Sequence, residues 1–260
     1  MGTAVKVTTN SPSGTVILNR PEKRNPLSRR VLEELQQAFD DLHQERAVRA
    51  VILTGAGSCF CAGMDLDEMR LTAANPARQA QWYQDVVSYK RLIETMLSFP
   101  KPIIAAVNGP VVAGGAGLVL AADAVVAAEA AEFGLPEPRL GLVAGLVAPL
   151  LRFRVGGGIA ARLLLTGQMI SADQACRWNL YHELVDEDVV WPRAQEIAEM
   201  CAESAPTSLQ LTKKLLNETI EETLETMLSA GAAVSATSRT TAAASEGLAA
   251  FHEKRDPHWP

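Results

Sequence analysis

The chain has 260 residues, 48% hydrophobic and 21% charged, which suits one domain, or one domain with a smaller appendage, and excludes a disordered chain. A formal net charge of −6 excludes nucleic-acid binding through a broad basic face, so an anionic ligand needs a few placed cations and backbone N–H groups. The N-terminal MGTAVKVTTN has no apolar core and no uninterrupted apolar run reaches roughly 18 residues, so a soluble cytoplasmic protein is expected. In chain order, GTVILNR (14–20) and VRAVILTG (48–55) are short β-branched runs closed by turn residues, as buried strands are. Between them Ser28 is placed to cap a helix whose apolar positions Val31, Leu32, Leu35, Ala38, Phe39 and Leu42 follow the 3.6-residue period. KPIIAAVNG (101–109) and AVVAAEA (124–130) predict two more buried strands, with the glycine-rich run VNGPVVAGGAGLVLAAD (107–123) and a short helix between them. Ser171-Ala-Asp-Gln174 has the capping-box pattern of a further helix. From Pro206 the pattern is helical through Phe251. Strands alternating with helices, then helices alone, predict the α/β class.

The cysteines Cys59, Cys61, Cys176 and Cys201 lack CxxC spacing and no histidine cluster accompanies them, so they read as reduced packing residues and no metal site is expected.

Two segments are placed to leave backbone N–H groups free. In FCAGMDL (60–66), Gly63 permits a sharp turn and Asp65 stands where a helix begins, which frees the N–H of Met64 from both sheet and helix. In Ala113-Gly114-Gly115 a helix N-terminus presents further donors, although such a run also serves close helix packing. Two such donors on one oxygen make an oxyanion hole. FGLPEPRLG (133–141) holds Glu137 between two prolines on a rigid loop, a mount for a general base that also reads as a solvated loop glutamate. No G-x-G-x-x-G follows the first strand and no G-x-S-x-G elbow exists, so neither a dinucleotide site nor a serine hydrolase is supported.

With LNRPEKRNPLS (18–28), FCAGMDL, KPIIAAVNGPVVAGGAGL (101–118), FGLPEPRLGL (133–142), LLLTGQMISADQA (163–175) and EGLAAFHEKRDP (246–257), the sequence resembles the crotonase superfamily, the enoyl-CoA hydratase/isomerase group, over essentially its whole length. The resemblance implies a crotonase-type spiral of ββα units over 1–200 carrying the acyl-CoA site, and a C-terminal helical trimerisation region over 201–260, giving a homotrimer or a dimer of trimers. It implies an acyl-CoA thioester as substrate, with no cofactor besides the CoA that is part of it; the acidic charge and the lack of a long apolar run lead to no nucleic-acid and no membrane partner being expected. The N–H groups of Met64 and Gly114 then hold the thioester oxygen, Glu137 is the catalytic residue, and Arg24, Pro26, Ala62, Asp65, Leu66, Phe251 and Lys254 match CoA-binding positions, the last two reaching the nucleotide end from a neighbouring subunit. Taken alone, Lys254 reads as a surface residue.

The sequence departs from the family pattern at three places. Met64 replaces an alanine and Ala113 the first glycine of a triplet, and neither change removes an N–H. Gly117 stands where hydratases of the two-glutamate type carry one of their two acids. Adding water calls on two carboxylates in those enzymes, whereas moving a double bond needs proton removal at C2 and return at C4, which one carboxylate performs. An enoyl-CoA isomerase-type reaction through Glu137 is therefore the first expectation, with a single-glutamate hydratase and a non-catalytic acyl-CoA-binding subunit as alternatives. Acyl preference is expected to depend on 67–98, where Trp82, Tyr83 and Tyr89 at helical spacing read as core or cover.

Overall fold

A computed structural model describes residues 2–218 and, beyond them, Ala242, Glu246, Ala250, Glu253, Arg255 and His258. The chain opens with strands β1 (Val5–Asn10) and β2 (Ser13–Leu18), then helix α1 (Arg29–Gln44) and strand β3 (Ala50–Gly55). Helices α2 (Leu66–Ala73) and α3 (Arg78–Ser98) precede β4 (Ile103–Val107), β5 (Val111–Val112), α4 (Gly114–Ala121) and β6 (Ala124–Ala128). There follow β7 (Phe133–Gly134), α5 (Val147–Thr166), β8 (Met169–Ile170), α6 (Ala172–Arg177), β9 (Glu183–Val185), α7 (Val190–Ala202) and α8 (Pro206–Glu218).

The sequence-expected elements form where their physics put them. Ser28 Oγ accepts from the Val31 N–H at 3.3 Å and opens α1, which buries the six apolar residues of its 3.6-period stripe. Ser171 Oγ likewise accepts from the Gln174 N–H at 3.2 Å and opens α6. The strands over 13–18, 50–55, 103–107 and 124–128 stand side by side and parallel, in the order β2-β3-β4-β6 within a six-stranded sheet. The antiparallel β1 edges this sheet at one side and the parallel β9 at the other. Residues Ile103 to Val107 are all buried because helices cover a parallel sheet on both faces. α7 packs across β3, β4 and β6, and its Trp191 Nε1 donates to Thr15 Oγ1 on β2 at 3.0 Å.

Five strands, the six-residue β1 and the short β5, β7, β8 and β9, lie outside the sequence expectations. β5, β7 and β8 form a second sheet of two-residue strands, too short to carry a period. That small sheet positions the candidate site. β4 leads into it at β5, and Val111 pairs with Phe133 and Val112 with Gly134. The expected helical region over 201–260 is described through α8, whose Lys213 Nζ reaches Asp123 Oδ2 at 2.7 Å and ties it to the sheet. The remainder of that region lies outside the described residues, apart from the six positions named above. Among the described residues no helix is long and apolar enough to cross a membrane.

Candidate active site

β3 and β4 are neighbouring parallel strands, and the loops beyond their carboxyl ends stay in register. Cys61 pairs with Val111, Val112 N–H donates to the Cys61 carbonyl at 3.0 Å, and Cys61 N–H donates to the Pro110 carbonyl at 3.3 Å. On the far side of this segment Ala113 N–H donates to the Gly134 carbonyl at 2.9 Å. Three extended stretches thus lie abreast, and Met64, Gly114 and Glu137 each follow closely after one of them, at one end of the small sheet.

Neither the Met64 N–H nor the Gly114 N–H donates to any protein acceptor among the described residues, as expected for a turn exit and a helix N-terminus. They are brought together at Gly63: a Cβ built there would lie 2.8 Å from Ala113 Cβ and 3.3 Å from the Gly114 nitrogen. Gly63 also has φ +91°, where an L side chain is strained. Gly115 serves the same close approach, since its Cβ would meet the Cys61 carbonyl oxygen at 2.7 Å. A methyl at Gly114 would find only ordinary contacts, 3.4 Å to Met64 Sδ and 3.5 Å to Leu27, so packing within the chain does not demand glycine there.

Ala113, which precedes the helix, adopts φ 52° and ψ −121°, a conformation that costs a non-glycine residue about 1–3 kcal/mol. Ala113→Gly is expected to raise stability by about 1 kcal/mol, because the strain relieved exceeds the roughly 0.5–1 kcal/mol entropic cost of glycine. Urea unfolding checks this, and an unchanged or lower midpoint would show that the backbone there is not strained.

Glu137 sits in a single 3-10 turn (137–140) closed by Gly141 in the left-handed region. Its Oε2 is buried and has no hydrogen-bond partner among the described residues. Burial raises its pKa above the ordinary carboxylate value, with a bond from its own backbone N–H pulling the other way. An unpaired buried carboxylate oxygen is costly and marks a place for a ligand proton or donor.

The first loop is joined to the first donor segment by backbone bonds. Ala62 N–H donates to the Arg24 carbonyl at 3.0 Å, Leu27 N–H to Gly63 at 2.7 Å, and Asp65 N–H to Leu27 at 3.0 Å. Arg24, Pro26, Ala62, Asp65 and Leu66 therefore gather along one stretch, with Leu66 56% exposed. The Asp65 carboxylate is engaged within the protein: Oδ1 accepts from the Asp67 and Glu68 N–H groups and caps α2, and Oδ2 pairs with Arg20 at 2.7 Å. Phe251 and Lys254 lie outside the described residues.

Two contributors escape sequence reading. Asn25, buried at φ 54°, donates to the Ala56 and Cys59 carbonyls at 2.9 and 2.7 Å and accepts from the Arg20 N–H, holding the first loop against 56–59. Its tolerance of the left-handed region was the available signal. The other is Tyr89 on α3. A Cβ built on Gly117 would collide with the Tyr89 hydroxyl oxygen, and that hydroxyl donates to the Gly114 carbonyl at 2.5 Å. The expected core-or-cover aromatics thus separate, since Tyr83 is 69% exposed and Tyr89 only 5%.

The sequence model of the enoyl-CoA hydratase/isomerase family matches residues 10–260. The chain belongs to the enoyl-CoA hydratase/isomerase family. It is 43% identical to a Thermus thermophilus protein named "Putative enoyl-CoA hydratase", over 94% of this chain and 96% of that one. It is 32% identical to the 1,2-epoxyphenylacetyl-CoA isomerase of Escherichia coli, over 94% of each. Among solved structures, the enoyl-CoA hydratase from Bacillus anthracis superposes with a TM-score of 0.90 at 35% identity, covering 98% of both chains. The fold is accordingly the crotonase fold, and the protein is an acyl-CoA enzyme of the enoyl-CoA hydratase/isomerase family. All four cysteines are free, and burial raises the Cys61 thiol to about 12, as suits a packing residue.

Proposed function

We propose that the protein is an enoyl-CoA isomerase that moves a double bond from position 3 to position 2 of an acyl-CoA thioester, with Glu137 as its one proton shuttle. The carboxylate of Glu137 takes a proton from C2. The electron pair moves toward the thioester carbonyl, forming a dienolate whose oxygen receives the N–H groups of Met64 and Gly114. The protonated Glu137 returns the proton at C4, and the electrons collapse to the conjugated thioester, so atoms and electrons balance with no further group. CoA lies along Arg24, Pro26, Ala62 and Leu66, with Asp65 supporting that stretch through its cap and its pair with Arg20. The reaction needs no cofactor besides the CoA within the substrate.

The observation that carries this reading is the buried Oε2 of Glu137, without a hydrogen-bond partner among the described residues, together with two free N–H donors on neighbouring segments and no second acid at position 117. A raised pKa makes Glu137 a stronger base, closer in proton affinity to the weakly acidic C2. Because the carboxylate form is the base, kcat/KM is expected to rise with pH through the folded-state pKa of Glu137, with an acid limb above the ordinary carboxylate value. A rate independent of pH across that range would remove Glu137 from the role.

The hydratase names among the relatives favour a second reading, addition of water to 2-enoyl-CoA with Glu137 alone. Offering the purified protein 3-enoyl-CoA and 2-enoyl-CoA separately decides between them. Conjugation gained from the 3-enoyl substrate supports isomerisation, and conjugation lost with 3-hydroxyacyl-CoA formed supports hydration.

A further inference from the structure

We propose that Tyr89 is the specificity-determining residue of this site: its phenol fills the space in front of Gly117 and keeps an attacking water out. The inference rests on the isomerase reading above and names what enforces it.

Position 117 is glycine for a reason internal to the chain. A Cβ there would collide with the Tyr89 hydroxyl oxygen, would lie 3.1 Å from the phenol Cζ, and would touch Val147 Cγ2 at 3.4 Å. The space that any side chain at 117 would use is therefore occupied from α3. The phenol is held firmly. Leu92, Ile93 and Met96 are buried on the same face of α3, and four residues before Tyr89 the Asp85 carboxylate takes two bonds from Arg29 of α1, at 2.7 and 2.8 Å. Thr95 adds a bond to Gln36 of α1 at 3.1 Å.

Held there, the hydroxyl is a poor substitute for an acid. Its proton is engaged with the Gly114 carbonyl at 2.5 Å, in the residue whose N–H is one of the two free donors. Burial keeps the phenol protonated. A water able to attack needs a group to take its proton and two or more polar partners to hold it. On the Gly117 side Tyr89 takes up the room and offers no base.

The test compares the ratio of 2-enoyl-CoA hydration to 3-enoyl-CoA isomerisation in the wild type, Tyr89→Ala and Tyr89→Phe. The alanine variant is expected to raise that ratio by about ten-fold or more, and the phenylalanine variant, which keeps the ring, to change it by less than about three-fold. Tyr89→Leu keeps an apolar stem but empties the far end, and it carries the same ten-fold criterion if the alanine variant does not fold. An unchanged ratio in a folded alanine or leucine variant, with the wild type still isomerising, overturns the role of Tyr89 alone. A ratio raised as much by phenylalanine as by alanine overturns the exclusion by ring volume. A wild type that hydrates and does not isomerise overturns the isomerase reading itself and this inference with it.

Discussion

Glu137→Gln is expected to lower kcat for 3-enoyl-CoA by roughly 10²–10⁴-fold while leaving the affinity for the thioester nearly unchanged. The amide keeps the size and place of the carboxylate but cannot take a proton. The same change is expected to raise thermal stability near neutral pH. Burial holds the folded-state pKa of Glu137 above its unfolded value, so the folded protein binds this proton more tightly than the unfolded chain does. Ionising Glu137 therefore opposes folding above the folded-state pKa, and this penalty disappears as the pH falls through that pKa toward the unfolded value. The Gln variant lacks the penalty, so its Tm advantage should be full at neutral pH and should close in acid. Thermal unfolding across that range checks the sign. An advantage that grew on acidification would contradict the account of the carboxylate.

Gly63→Ala is expected to damage both fold and activity. Gly63 has φ +91°, and an added methyl would meet Ala113 Cβ at 2.8 Å, the Val112 carbonyl oxygen at 3.0 Å and the Gly114 nitrogen at 3.3 Å. Backbone strain of about 1–3 kcal/mol and overpacking of similar size add to a loss of roughly 2–6 kcal/mol. Relief comes by moving the two donor segments apart, which withdraws one N–H from a shared oxygen and lowers kcat by roughly 10²–10³-fold. Urea unfolding and kcat measured on the same preparation test both parts. A variant with wild-type stability and rate would mean that the approach of the two segments at Gly63 does not build the site.

Where local chemistry decides the outcome, the sequence was sufficient. Ser28 and the stripe from Val31 to Leu42 specify α1 because cap and period act within one helix. Gly63, Gly115 and the proline-flanked Glu137 announced a tight turn, a close approach and a rigid loop, and the structure brings their segments abreast. Strands of two residues such as β5 and β7 have no period of their own and exist through register with neighbours. Tyr89 was hidden for a related reason. Its spacing with Leu92, Ile93 and Met96 is that of any buried helix face, and its partner Gly114 stands 25 residues further along. Gly117 looked like a missing acid, and the folded chain shows that it also makes room for that phenol.

The central claim, one carboxylate moving one proton across a bound thioester, is tested most directly with 3-enoyl-CoA carrying deuterium at C2. The account predicts conjugated 2-enoyl-CoA with part of the deuterium carried to C4 above the level of solvent exchange, and no such transfer by Glu137→Gln. Deuterium transfer by the Gln variant at the wild-type rate, or a wild type that leaves 3-enoyl-CoA untouched while adding water to 2-enoyl-CoA, would contradict it.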